Sequence, residues 1–167
     1  LCVGDVASRS GTYPEPVAPL YWIKGNNENF DRIAAWQSGA EQPPNFHFIP
    51  NGTVVEAKPL RVAGLGGTFA PKWFDTAAAK LPFTASDDKR RDFVREEADA
   101  CARPRDVDIL MTHEAPRPFI VTDTRRHDAG KPVINAVLAA MKPRLHLFGH
   151  HHRFSETERE GVRSVCI

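Results

Sequence analysis

Near its carboxyl end the chain reads Leu145-His146-Leu147-Phe148-Gly149-His150-His151-His152, an apolar run that stops at a glycine and is followed at once by three imidazoles. Such a run is comfortable only as a buried strand. The glycine lets the backbone leave the sheet sharply, and residues two apart beyond it then share a side. His150 and His152 are therefore a candidate pair of metal ligands, with His151 turned away as a rim residue. A purification tag would be terminal and would lack the apolar run.

A buried strand needs a core to be buried in, and 167 residues with 41% hydrophobic and 26% charged side chains can supply one. The expectation is a single domain spanning residues 1–167. A net charge of +1 gives no broad attraction to nucleic acid or anionic lipid. No apolar run approaches the roughly 20 residues of a membrane span. Cys2, Cys101 and Cys166 are odd in number and far apart, which reads as thiols of a reducing compartment, and the expected location is cytoplasmic.

The strand-then-ligand pattern recurs along the chain. Leu1-Cys2-Val3 ends in Gly4-Asp5, and Leu20-Tyr21-Trp22-Ile23 ends in Gly25-Asn26-Asn27-Glu28. Val107 to Met111 ends in Thr112-His113-Glu114. Between these, residues 46–49, 53–57 and 60–65 read as strands, with Asn51-Gly52 as a hairpin turn between the first two. Residues 29–36 and 89–103 read as helices, the second opened by Ser86-Asp87-Asp88 and stopped before Pro104. Pro132 opens a third, with Val133, Ala136, Val137, Ala140 and Met141 on one face and Pro143 at its end. The last strand runs from Val162 to Ile167. Gly64, Gly66 and Gly67 form no phosphate-loop fingerprint and read as a tight bend at a strand end. The Lys89-Arg90-Arg91 run reads as a solvated helix face, and the Arg125-Arg126-His127 loop as ordinary surface. His47 and His146 lie inside strand runs and read as structural.

Strands linked by helical crossovers gather ligands beyond one end of the sheet, so Asp5, Asn26, His113, His150 and His152 can converge although they span most of the sequence. One carboxylate, one amide oxygen and three imidazoles suit Mn, Fe, Zn or Co and are too nitrogen-rich for Ca or Mg. Five ligands exceed what one tetrahedral ion takes. They point to two divalent ions sharing a carboxylate, a geometry that clamps the attacking and leaving oxygens of a phosphate ester.

In order, Gly4-Asp5, Gly25-Asn26-Asn27-Glu28, Thr112-His113-Glu114-Ala115-Pro116 and Gly149-His150-His151-His152 resemble the motifs of calcineurin-like metallophosphoesterases. The resemblance covers nearly the whole chain. Within the family, the stretch from Gly66-Gly67-Thr68 to Thr112-His113 looks most like the lariat-debranching branch. The resemblance implies an α/β fold of two mixed β-sheets packed face to face with flanking helices, an αββα sandwich. It further implies that Asp5 bridges two metals, that Asn26, His113 and His150 complete one shell, and that His152 serves the other ion.

Two departures stand out. The family's Asp-x-His motif is absent ahead of Gly4, and the expectation is that it lies on the N-terminal side of residue 1. Asn27 occupies the position of a histidine that protonates the leaving oxygen in many members, and an amide cannot donate a proton at a useful pKa. The implied activity is hydrolysis of a phosphate ester, with a diester favoured over a monoester; the substrate, whether nucleotide, RNA or small molecule, is not encoded in any recognisable loop. Two other readings remain at this point: a binding or scaffold module that has kept the fold and lost turnover, and a mononuclear hydrolase of amides or lactones.

Overall fold

The computed structural model describes residues 1–84, 86–122 and 126–167. In chain order the elements are β1 (Leu20–Trp22), α1 (Phe30–Gln37), β2 (Phe46–Phe48), β3 (Val54–Ala57), β4 (Leu60–Leu65) and β5 (Thr68–Phe69). They continue with β6 (Asp92–Phe93), α2 (Arg95–Cys101), β7 (Ile109–Thr112), β8 (Ile120–Thr122) and β9 (Arg126–Asp128). The chain closes with α3 (Pro132–Met141), β10 (Leu145–Phe148), β11 (Ser155–Arg159) and β12 (Val162–Cys166).

β4, β7, β10 and β12 are short, largely buried runs rich in apolar residues, the composition of parallel strands covered on both sides. They pair in parallel at the centre of a six-stranded sheet ordered β11-β12-β10-β7-β4-β3, whose edges are antiparallel hairpins. Alternate residues then sort to opposite faces. Ala63, Leu65 and Leu110 pack against α2 and α3 through Ala98, Ile134 and Val137. Val62, Ile109 and Met111 face Val3, Ile23 and Ile49 of a second, smaller parallel sheet formed by β1 and β2. That sheet buries Trp22, Phe46 and Phe48 on its far side against Phe30, Ile33 and Trp36 of α1. The layers are thus helix, sheet, sheet, helix, the αββα sandwich implied by the sequence.

The two sheets approach closely at Gly64. A Cβ there would stand 2.6 Å from Ile23 Cγ2 and 3.0 Å from Ile49 Cγ2, so hydrogen at this position sets the spacing between the sheets.

Several elements differ from the sequence reading. Leu1 to Val3 makes only a single bridge, Cys2 to Trp22, along the edge of the small sheet. Asn51-Gly52 is no hairpin, because β2 and β3 belong to different sheets; instead the Asn51 amide clamps Gly66, accepting from its N–H at 2.7 Å and donating to its carbonyl at 3.1 Å. The helix expected over 89–103 starts only at Arg95. Asp88 caps a 3₁₀ turn at Lys89–Arg91 instead, and the chain then extends to pair with β5. Glu97 begins the true helix by accepting from Val94 N–H at 3.0 Å. On α3 the buried stripe is Ile134, Val137 and Met141, while Ala136 and Ala140 are exposed. Larger apolar side chains remove more area from water than alanines do, and they win the inward positions. β11 and β9 are polar segments with no strand signal of their own, and partner strands create them. Arg125 lies outside the described residues, and Arg126 and His127 are exposed on β9.

His146 is fully buried on β10, with Nε2 2.8 Å from Thr112 Oγ1 and Nδ1 3.1 Å from Ser164 Oγ. Burial pushes its pKa from the ordinary 6.5 down to about 3. Because the folded value lies below the unfolded one, its contribution to stability is complete above about pH 6.5 and is lost as pH falls towards 3. His146→Leu is expected to be less stable at pH 7, by about 1–3 kcal/mol for the stranded hydroxyls. Its urea midpoint should fall less steeply than the wild type's between pH 6.5 and 4; parallel slopes would show that His146 does not govern the acid limb.

Candidate metal centre

The carboxyl ends of β1, β7 and β10, together with residues 3–5 beside β1, open on the same side. Within the large sheet this follows from register: Phe148 pairs with Thr112, so Gly149 N–H reaches His113 carbonyl at 3.3 Å and the two histidine-bearing ends are neighbours. Between sheets, Gly67 N–H donates to Lys24 carbonyl at 2.8 Å, which ties the end of β4 to the end of β1.

Close backbone approach then does the rest. A Cβ on Gly4 would stand 2.6 Å from Gly25 Cα, and a Cβ on Gly25 would collide with the Asp5 carboxylate and backbone nitrogen. Two glycines in contact let the Asp5 loop lie directly on the Asn26 loop. Glu28 fastens them, accepting from Val6 N–H at 3.0 Å, Ala7 N–H at 3.1 Å and Gly25 N–H at 3.2 Å. Burial raises the Glu28 pKa, while those backbone donors pull it down.

Donor atoms of Asp5, His113 and His150 lie within 4.8 Å of one another. His113 Nε2 is 2.9 Å from Asn26 Oδ1, 3.1 Å from His150 Nδ1 and 3.8 Å from Asp5 Oδ2. Donors bound to one transition metal at about 2.0–2.2 Å are separated by about 3.0–3.5 Å, so these spacings are those of neighbouring ligands. The protonation pattern agrees. His113 Nδ1 is 2.7 Å from Val3 carbonyl, which can only accept, so the ring proton sits on Nδ1 and Nε2 carries a lone pair. Asn26 Oδ1 is also an acceptor. Two acceptors facing each other at 2.9 Å repel unless a cation lies between them. Burial lowers the His113 pKa, which keeps the imidazole neutral and available as a ligand.

Strain marks the same spot. Asp5, His150 and His152 have φ of 57°, 70° and 48°, and they are three of the seven non-glycine residues with positive φ among the described residues. Such conformations cost about 1–2 kcal/mol and cluster where function requires them.

The remaining sequence candidates fall into place around this group. His152 is exposed and lines the cleft in front of Asp5, and it stands outside the three-residue group. Asn27 donates to Asp5 twice, from the backbone to Oδ1 at 2.8 Å and from the amide to Oδ2 at 3.1 Å. His151 turns away and stacks on Phe119 with ring centroids 4.7 Å apart, and burial lowers its pKa to about 4.

Sequence reasoning gave no role to Glu28, although it closes the Gly25-Asn26-Asn27-Glu28 run. It also passed over Lys24 and Glu114. Lys24 Nζ donates to the carbonyls of Arg90 at 2.8 Å and Asp92 at 3.1 Å. Glu114, buried beside His113, accepts from Phe69 N–H at 3.0 Å and thereby anchors β5 to the ligand-bearing strand end. No local pattern singles out these two, because their partners are distant in sequence.

An αββα sandwich thus brings an imidazole, a carboxylate and an amide oxygen together at its strand ends, a donor set suited to a divalent ion. The family model of calcineurin-like phosphoesterases matches residues 1–154, and the chain belongs to that family. It is 23% identical over 163 residues to a lariat debranching enzyme of Schizosaccharomyces pombe, across 86% of this chain and 35% of that protein. It is 29% identical over 153 residues to an uncharacterised protein of Haemophilus influenzae, across 80% of this chain and 62% of the other. The chain therefore spans about a third and about three fifths of the length of these relatives. A crystal structure superposes with a TM-score of 0.58 at 15% identity, covering 87% of this chain and 55% of the other, which shows the shared fold.

Proposed function

We propose that this chain carries out metal-dependent hydrolysis of phosphodiesters. The observation that carries the reading is the convergence of His113 Nε2 and Asn26 Oδ1, two acceptors 2.9 Å apart, beside His150 and Asp5. In this reading Asp5, Asn26, His113 and His150 hold one divalent ion, and Asp5 and His152 contribute to a second. Bound ions of this kind supply Lewis acidity, which makes water a nucleophile near neutral pH and draws charge from a phosphoryl oxygen.

The chain's own residues do the positioning. Val3 carbonyl fixes the His113 tautomer. Asn27 orients the Asp5 carboxylate through both of its oxygens. Glu28 holds the two loops at contact distance. With its amide committed to Asp5, Asn27 offers no acidic proton to a departing oxygen, so the ester must carry a good leaving group. That favours diesters with an aryl or otherwise acidic alcohol over phosphomonoesters.

Purified protein loaded with Mn is expected to cleave bis(p-nitrophenyl) phosphate faster than p-nitrophenyl phosphate, with at least about one ion per chain by total metal analysis and activity removed by chelation. A faster monoester reaction, or less than about one ion per chain, would refute the reading. One relative bears the name lariat debranching enzyme, so branched RNA belongs beside nucleotide diesters in the substrate screen.

A further inference from the structure

The centre opens into a cleft of ≈ 1300 Å³ lined also by Phe83, Asp87, Asp88, Arg90 and Arg91. Its charges do not suit a polyanion. Five carboxylates, Asp5, Glu28, Asp31, Asp87 and Asp88, line it with only three arginines. Arg90 is held by Asp88, with Nε 2.9 Å from Oδ1, and by Asp31, with Nη1 2.8 Å from Oδ1. Arg91 is held by Asp87 at 2.8 Å. A groove that tracks a nucleic acid backbone needs cations free to neutralise phosphates. Here two of the three are already neutralised.

What the wall offers instead is an aromatic face. Phe83 is 60% exposed although it is a large apolar side chain. The Arg90 guanidinium carbon lies over its ring, 4.1 Å from the centroid, so the opposite face and the edge account for that exposure. The platform is rigid. Arg90 is locked by its two carboxylates, one of them on α1, and its carbonyl accepts from Lys24 Nζ at 2.8 Å. Lys24 immediately precedes Gly25-Asn26, so the same side chain fixes the distance between the platform and the candidate metal ligands. A guanidinium behind a ring makes a stacked sandwich with any flat group placed in front.

We propose that Phe83, backed by Arg90, is a stacking subsite for one nucleobase of the substrate, and that the preferred substrate is a short nucleotide diester and not a long polyanionic strand. This rests on the phosphodiesterase reading for turnover, although the stacking itself does not. Base stacking on an aromatic side chain is worth about a tenfold change in affinity or more.

The test compares two esters with one leaving group, the p-nitrophenyl ester of thymidine 5′-phosphate and methyl p-nitrophenyl phosphate. The ratio of their kcat/KM values cancels differences in folding and metal loading between variants. We expect a ratio of about ten or more for the wild type, a ratio near one for Phe83→Ala, and a ratio retained by Phe83→Trp. A wild-type ratio near one, or a ratio unchanged in Phe83→Ala, overturns the subsite. If neither ester is hydrolysed, the phosphodiesterase reading fails separately, and calorimetry with thymidine 5′-phosphate decides the subsite: binding weakened about tenfold in Phe83→Ala supports it, and equal or absent binding sinks it. A steep fall of kcat/KM with salt on a longer oligonucleotide would show a polyanion track and refute the preference for short diesters.

Discussion

His150→Ala is expected to abolish turnover of phosphodiesters, with a loss of at least about a hundredfold, because removing a ligand harms a metal site more than removing the groups that orient ligands. Glycine at the same position should act the other way on stability. His150 sits at φ 70°, where a side chain costs about 1–2 kcal/mol. In chelator, His150→Gly should therefore match or exceed the wild type in urea midpoint and exceed His150→Ala by about 1 kcal/mol. With Mn added the order should reverse. An ion at a hundred times its dissociation constant stabilises the wild type by about 2.7 kcal/mol, and neither variant should respond. A variant that keeps both the Mn-linked stabilisation and the turnover would remove His150 from the ligand set. The Mn response separates a ligand from an ordinary surface histidine, whereas the glycine gain reports the backbone strain at φ 70° alone.

Glu28→Ala should be the most damaging change outside the ligands themselves. Its carboxylate accepts three backbone N–H groups from two loops that otherwise meet through the Gly4–Gly25 contact and the two Asn27 bonds to Asp5. Water can reach part of this region, so the expected cost is about 2–4 kcal/mol rather than the full sum for three orphaned donors. Metal affinity should fall about 10- to 100-fold, because Asp5 and Asn26 ride on the loops that Glu28 joins. Glu28→Gln retains one acceptor oxygen and turns an amide NH₂ towards a backbone donor, so it should lie between the two. Calorimetric Mn titration of the folded variants checks the coupling. Unchanged Mn affinity in a folded Glu28→Ala protein would show that the loops hold their places without it.

The strand-end motifs could be read directly because each is local. Apolar runs of four or five residues ending in Gly-Asn, Thr-His and Gly-His state both the strand and the donors at its tip, while the three-residue run before Gly4-Asp5 makes only one bridge. The segment 86–103 shows the opposite case. Its acidic start and helical composition suit one long helix, yet two of its residues were drawn into pairing with Thr68–Phe69 and the helix was delayed to Arg95. A local preference of a few tenths of a kcal/mol per residue yields when tertiary pairing and burial of Phe93 compete with it. The Asn51-Gly52 turn failed for a related reason. The dipeptide specifies a bend and says nothing about which sheet each flanking strand joins.

The kinds of donor available, the strand ends that carry most of them and the presence of an amide at Asn27 were determined by the sequence alone, since each is a property of a few adjacent residues. Which donors share a point was decided only by the tertiary structure. Parallel register set His113 beside Gly149, glycine contact let the Asp5 loop rest on Gly25, and His152 was left on the cleft wall outside the three-residue group. The platform of Phe83 and Arg90, fixed by Asp31, Asp88 and Lys24, likewise exists only in three dimensions. Phe83, Asp88 and Arg90 are close in sequence, but Lys24 and Asp31 are distant from them, and only tertiary packing brings these two to the platform.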